Sequence, residues 1–159
     1  MKFRFKSLIA ALSISFVVSA CGSTKDQAHQ GHSMNGDLQE KTASVKVLPK
    51  FLSNQPEQIR LVYEAAGNAT EVLKWIPCYC GCGESAGHAG NMNCFIKQVN
   101  QDGSVVWDDH GTRCGVCLQI AAQSIKMKQD GKTLKEIRSY IDKTYEKGYA
   151  KPTNTPMPV

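Results

Sequence analysis

Cys78-Tyr79-Cys80-Gly81-Cys82-Gly83-Glu84-Ser85-Ala86-Gly87-His88-Ala89-Gly90-Asn91-Met92-Asn93 holds three cysteines and four glycines in sixteen residues. It follows neither the two-residue period of a strand nor the 3.6-residue period of a helix. A loop of this length inside a domain needs something other than a hydrophobic face to hold it. The cysteines are the obvious means. In an extended chain Cys78, Cys80 and Cys82 point to the same side. Their Cα atoms then lie about 6.5–7 Å apart, at the edge of disulfide range. Gly81 and Gly83 allow a bend that brings the three sulfurs together.

Outward from this loop the signals are mostly helical. Upstream, Asn54 and Glu57 are spaced as reciprocal caps, with Pro56 in the first turn. Ile59, Val62, Tyr63 and Ala66 then share a face, and Gly67 can end the helix. A short helix over Thr70 to Trp75 must stop before Pro77. Downstream, Phe95 to Val99 and Val105 to Trp107 are strand-like, with Asp102-Gly103 as a tight turn. Arg113 to Lys128 places Cys114, Cys117, Leu118, Ala121 and Ile125 on one stripe. Thr133 and Glu136 form a capping box for a last helix that buries Leu134, Ile137, Ile141 and Thr144 or Tyr145. The expected fold is mainly α: a small single domain of three to five helices, an irregular Cys/Gly-rich loop and room for one short β-hairpin.

The chain of 159 residues begins with an address. Lys2, Arg4 and Lys6 precede an uncharged apolar run from Ser7 to Val18, too short to span a bilayer as a helix. This is the pattern of a signal peptide. Val18-Ser19-Ala20-Cys21-Gly22 resembles the bacterial lipobox, with valine where leucine is commoner. The resemblance implies cleavage after residue 20 and acyl chains, palmitate among them, on Cys21. Two chains make a durable anchor. The expected location is therefore the bacterial cell membrane, with the domain facing outside the cytoplasm. The leader carries three of the 19 basic residues and none of the 14 acidic ones, so the rest has a net charge of +2 rather than +5. With no basic patch interleaved with aromatics, nucleic acid is not an expected partner.

The expected division is a leader over 1–20, a lipidated flexible tether over 21–48, a cysteine-rich domain over 49–149 and a proline-rich tail over 150–159. Within the tether, His29, His32 and Met34 are spaced for a mobile metal-loading arm, or are incidental in a solvated linker.

Six cysteines follow the anchor: Cys78, Cys80, Cys82, Cys94, Cys114 and Cys117, accompanied by His88 and His110. Cys114-Gly115-Val116-Cys117 opens a helix, where thiolate is favoured. Six thiols and two imidazoles exceed the four ligands of one tetrahedral zinc and suit bridged Cu(I), with Zn(II) as the alternative metal. The expected function is soft-metal binding for storage, delivery or detoxification, with a metal donor or acceptor protein as partner. Two other readings stay open. Outside the cytoplasm an even number of cysteines in a small domain commonly means disulfides. If the triplet does not pair internally, six pairings with 94, 114 and 117 remain. Alternatively Cys114 is the attacking thiolate of a thiol–disulfide oxidoreductase, although no βαβ pattern surrounds the motif. No nucleophile elbow or other catalytic constellation is evident, so an enzyme is not the expected class.

The string Ile76-Pro77-Cys78-Tyr79-Cys80-Gly81-Cys82, with His88, Cys94, Trp107, His110 and the Cys114–Cys117 pair, resembles the bacterial PCYCGC-motif lipoproteins over roughly residues 50–149. That family is largely uncharacterised. The resemblance implies a lipoprotein and a deliberate cysteine constellation, and names no metal.

Overall fold

The computed structural model describes residues 30–32 and 36–159. The leader, Cys21, His29 and Met34 lie outside the described residues, and of His32 only its strand position is described. The order of elements is β1 (Gln30–His32), β2 (Leu38–Thr42), α1 (Glu57–Gly67), α2 (Thr70–Leu73), α3 (Gly83–Ala86), β3 (Ile96–Val99), β4 (Val105–Asp108), α4 (Gly115–Gln129) and α5 (Leu134–Tyr145). Short 3₁₀ turns occupy Lys50–Leu52, Asn91–Cys94 and Asp109–Arg113.

The expected hairpin is present as β3 and β4, but it is half of a four-stranded antiparallel sheet ordered β1-β2-β4-β3. The fold is thus helices plus a small sheet, with less helical dominance than the sequence suggested. The additional strands come from the stretch expected to be a flexible tether. Leu38–Thr42 pairs with β4, from Gln39 opposite Asp108 to Thr42 opposite Val105. Its side chains explain why it joins the fold. Thr42 Oγ1 accepts the indole N–H of Trp107 at 2.8 Å. Both oxygens of the buried Glu40 carboxylate accept the amide of Lys50 at 2.9 Å. A polar strand can enter a core when each polar atom finds such a partner.

One further expectation is corrected. Asn54 does not cap α1. The helix starts at Glu57, after Pro56 in an extended conformation (ψ 146°), because a residue before proline is kept out of the helical region. The proline-rich tail is not loose. Ala150 and Thr153 donate their amides to the carbonyls of Tyr79 and Cys78, at 3.2 and 3.0 Å. The folded unit therefore extends beyond 49–149 at both ends.

Two apolar clusters flank the cysteine loop. One surrounds Tyr63, Phe95 and Trp107 and includes Cys78, Cys94 and Cys117. The other packs Val72, Ile76 and Ile120 against Ile137, Ile141 and Tyr145. Tyr79 belongs to the second cluster, its ring 5.6 Å from that of Tyr145 and its hydroxyl donating to Asp142 at 2.7 Å. Alternation along Cys78-Tyr79-Cys80 thus survives: the tyrosine anchors one side, and the cysteines face the other. Burying an aromatic of this kind contributes about 1.5–3 kcal/mol, enough to fix the register of an irregular loop. Among the described residues, no helix is long and apolar enough to cross a membrane.

Candidate metal centre

Four segments bring the cysteines together. The loop after Pro77 supplies Cys78 and Cys80, and the chain bends at Gly81, whose φ of +83° suits glycine. The 3₁₀ turn before β3 supplies Cys94. The turn after β4 supplies His110 and Cys114. The first turn of α4 supplies Cys117. That helix begins at Gly115 rather than Arg113, leaving Cys114 extended at the cap (φ −122°, ψ 95°). Gly111 is needed for the close approach: a Cβ there would lie 2.7 Å from the Phe95 ring and 2.9 Å from the Cys94 carbonyl oxygen.

The sulfurs form a network rather than isolated pairs. Cys78 Sγ lies 2.9 Å from Cys80, 3.3 Å from Cys117 and 4.0 Å from Cys94. Cys94 and Cys117 are 3.1 Å apart. Cys80 also groups with Cys114 and His110, their ligand atoms all within 4.8 Å of one another. At a metal–sulfur bond of ~2.3 Å, sulfurs on a tetrahedral ion sit about 3.8 Å apart. Separations this close to that value need only sub-ångström adjustment to receive an ion. The cysteine cluster is thus able to hold a metal ion.

Histidines border the sulfurs. His88 Nδ1 is 3.6 Å from Cys94 Sγ. His110 turns Nδ1 toward Asp37 at 3.3 Å, while its Nε2 is buried without a hydrogen-bond partner among the described residues. An imidazole steered by a carboxylate on one nitrogen and bare on the other has the usual form of a metal ligand with its outer partner. Asp37 also approaches His88 Nε2 at 3.9 Å and receives the Arg113 guanidinium. Arg113 bonds Asp109 as well, at 2.5 Å. A guanidinium therefore pairs with both Asp37 and Asp109, and Asp37 with His88 and His110 makes a further group that could hold an ion.

Proton sharing favours thiolate where ligands are needed. Bonds from Cys114 and Cys117, with a smaller contribution from His110, hold the Cys80 thiol down to about 4. Bonds from Cys117 and then Cys78 hold Cys94 down to about 6. Cys117 is pushed up by its hydrogen bonding with Cys114, then with Cys78, Cys80 and Cys94, and by burial. The sulfurs of Cys114 and Cys80 push His110 up to about 12. Burial, then the charge of His110, lowers His88. Cys82 is different: burial and then Cys80 raise its thiol.

Of the expected ligands, the structure brings Cys78, Cys80, Cys94, Cys114, Cys117, His88 and His110 together. Cys82 stays outside the tight groups, at the half-buried margin, with its amide donating to Cys80 Sγ at 3.3 Å. Asp37 went unnoticed in the sequence because it lies in a polar run with no spacing to mark it.

These thiols give a first expected result. Alkylation of Cys80 in the reduced, metal-free protein should proceed at a nearly constant rate from pH 5.5 to 7.5, because it is already thiolate. Cys82 should speed up about tenfold per pH unit, as a protonated thiol does. Peptide mapping after timed labelling reads both. A tenfold climb per unit at Cys80 would show that the network does not hold its thiolate.

Helices around a small antiparallel sheet, with a cysteine–histidine cluster at their junction that could hold a metal ion, define a cysteine-rich domain. The chain matches, over residues 10–158, the family described as protein of unknown function with PCYCGC motif, and belongs to it. No curated protein and no solved structure matches it.

Proposed function

We propose that this protein is a membrane-anchored extracytoplasmic lipoprotein that binds Cu(I) through its cysteine cluster for storage, delivery or detoxification. The observation that carries the reading is the convergence of five sulfurs and His110 on one locus. Soft thiolate ligands select Cu(I) and zinc. Five sulfurs exceed the four ligands of one tetrahedral zinc, whereas bridging thiolates use them all. The Val18–Gly22 lipobox supports cleavage and acylation at Cys21, which places the domain outside the cytoplasm. The partner is a donor or acceptor of Cu(I) with thiol or thioether ligands of its own. His29, His32 and Met34 then serve as the loading arm.

The disulfide reading rests on the same short sulfur separations, and one experiment separates the two. The full chain is purified anaerobically in detergent with no reductant added. Its native mass is recorded with and without Cu(I), beside a denaturing mass after thiol alkylation. Bound Cu(I) and six alkylatable thiols in residues 78–117 are expected. No bound metal and six cysteines protected from alkylation before any reductant is added would establish three disulfides and remove the metal reading.

A further inference from the structure

The sulfur network divides into two sets that share one residue. Cys78, Cys94 and Cys117 are 1%, 0% and 0% exposed. They lie among the aromatic core residues, beside the buried His88. Cys80, Cys114 and His110 form the second set, each only partly buried, with Cys82 on its outer margin. Cys80 belongs to both, since Cys78, Cys80 and Cys117 also fall within 4.8 Å of one another. A thiolate placed between two sets of ligands is a bridge, because a sulfur with several lone pairs can serve two soft ions at once.

Resting on the soft-metal reading, we infer that the cluster is a dinuclear centre bridged by Cys80, with a retained inner ion on Cys78, Cys94 and Cys117 and an exchangeable outer ion on Cys114 and His110. The outer set has what an exchange site needs. Its residues are partly exposed, so an incoming donor approaches it more readily than the buried inner set. His110 is held on Nδ1 by Asp37 and lies against the sulfurs of Cys80 and Cys114. A neutral imidazole is also a weaker hold on Cu(I) than a third thiolate. The inner set is almost closed to solvent and all sulfur, so exchange there is the slower of the two. Ions therefore enter and leave at the outer position, and the inner one keeps the loop folded around it. Loading displaces the remaining thiol protons of the cluster and the ring proton of His110, as coordination by thiolate and neutral imidazole requires.

The test is a Cu(I) titration of the full reduced chain in detergent, followed by native mass and by challenge with a Cu(I) chelator. Wild type should take up two ions and lose them in two phases at least about tenfold apart in rate. Cys114→Ser and His110→Ala should each lose the fast phase and keep one slowly released ion. Cys94→Ser should lose the slow phase. If Cys114→Ser removes both ions together, or wild type releases them in a single phase, the division into two sites is wrong while metal binding stands. If wild type binds no Cu(I), the division and the metal reading fall together.

Discussion

Replacing Cys117 with serine should weaken Cu(I) retention at least about a hundredfold while leaving the helical content in place. Its sulfur touches those of Cys78 and Cys94 at 3.3 and 3.1 Å. The α4 backbone that carries it is fixed, because Asn91 Nδ2 donates to the Cys117 carbonyl at 3.2 Å. A serine oxygen is a hard, short ligand and does not reach or suit a soft ion held by the remaining sulfurs. Loss of an outer partner alone typically costs 10–100-fold in metal affinity, and loss of a ligand at the centre of the network costs more. The side chain is fully buried, so the hydroxyl adds a stability penalty of about 1–3 kcal/mol if it finds no acceptor. Circular dichroism therefore accompanies the chelator-competition measurement. Cys82→Ser is the matched control, and should keep the full load because Cys82 lies outside the tight sulfur groups. Undiminished retention in folded Cys117→Ser would remove the cluster as the metal site.

Much of the helical scaffold was legible in the residues. The Thr133–Glu136 box caps α5 as its spacing predicts, with Thr133 N donating to the glutamate at 2.8 Å and Glu136 N to the threonine at 3.2 Å. Ile137, Ile141 and Tyr145 face inward from it. The hairpin around Asp102-Gly103 also forms where the turn residues place it. These features are local: a cap, a period or a turn depends on residues within a few positions. What escaped notice is non-local. Leu38–Thr42 shows no alternation worth noting, and becomes a strand because Lys50 and Trp107 offer partners 10 and 65 residues away.

The site divides in the same way. Cysteine and histidine announce themselves by chemistry, and seven of the eight residues expected as ligands lie close together. Cys82 looked equivalent to Cys78 and Cys80 because the triplet was read as one extended strand. The positive φ at Gly81 turns the chain there and sends Cys82 to the margin. Asp37 carries no marker of its own. Its role follows from Leu38 N donating to Asp109 at 2.8 Å, which seats the start of β2 beside the His110 turn. A carboxylate that orients a histidine from 73 residues away is visible only once the sheet order is known.

Arg138→Ala should lower the melting temperature by about 10 °C and speed metal release. Arg138 is 7% exposed in α5, on the inward face it shares with Ile141 and Tyr145. One guanidinium nitrogen donates to the carbonyls of Trp75, Thr155 and Pro156 at 3.0, 3.1 and 2.9 Å. Another nitrogen meets both oxygens of Asp142 at 2.9 Å. Truncation strands three carbonyls at about 1 kcal/mol each. The ion pair adds little, since Asp142 is 36% exposed. A loss of about 3 kcal/mol corresponds to about 10 °C in a domain of this size. Arg138→Lys should recover only part of it, because a single ammonium cannot reproduce the planar fork. The consequence for the metal centre runs through the C-terminal strap that Arg138 pins. Thr153 brackets Cys78, accepting its amide at 2.9 Å and donating to its carbonyl at 3.0 Å. A groove of about 710 Å³ lies between strap and loop, lined by Cys78, His88 and Thr153, and Cys78 stays closed to solvent only while that bracket holds. Hydrogen exchange at the amides of Ala150 and Thr153 should accelerate in Arg138→Ala before the core amides of α4 do. Exchange that accelerates uniformly, or a melting temperature within about 3 °C of wild type, would show that the strap does not depend on Arg138.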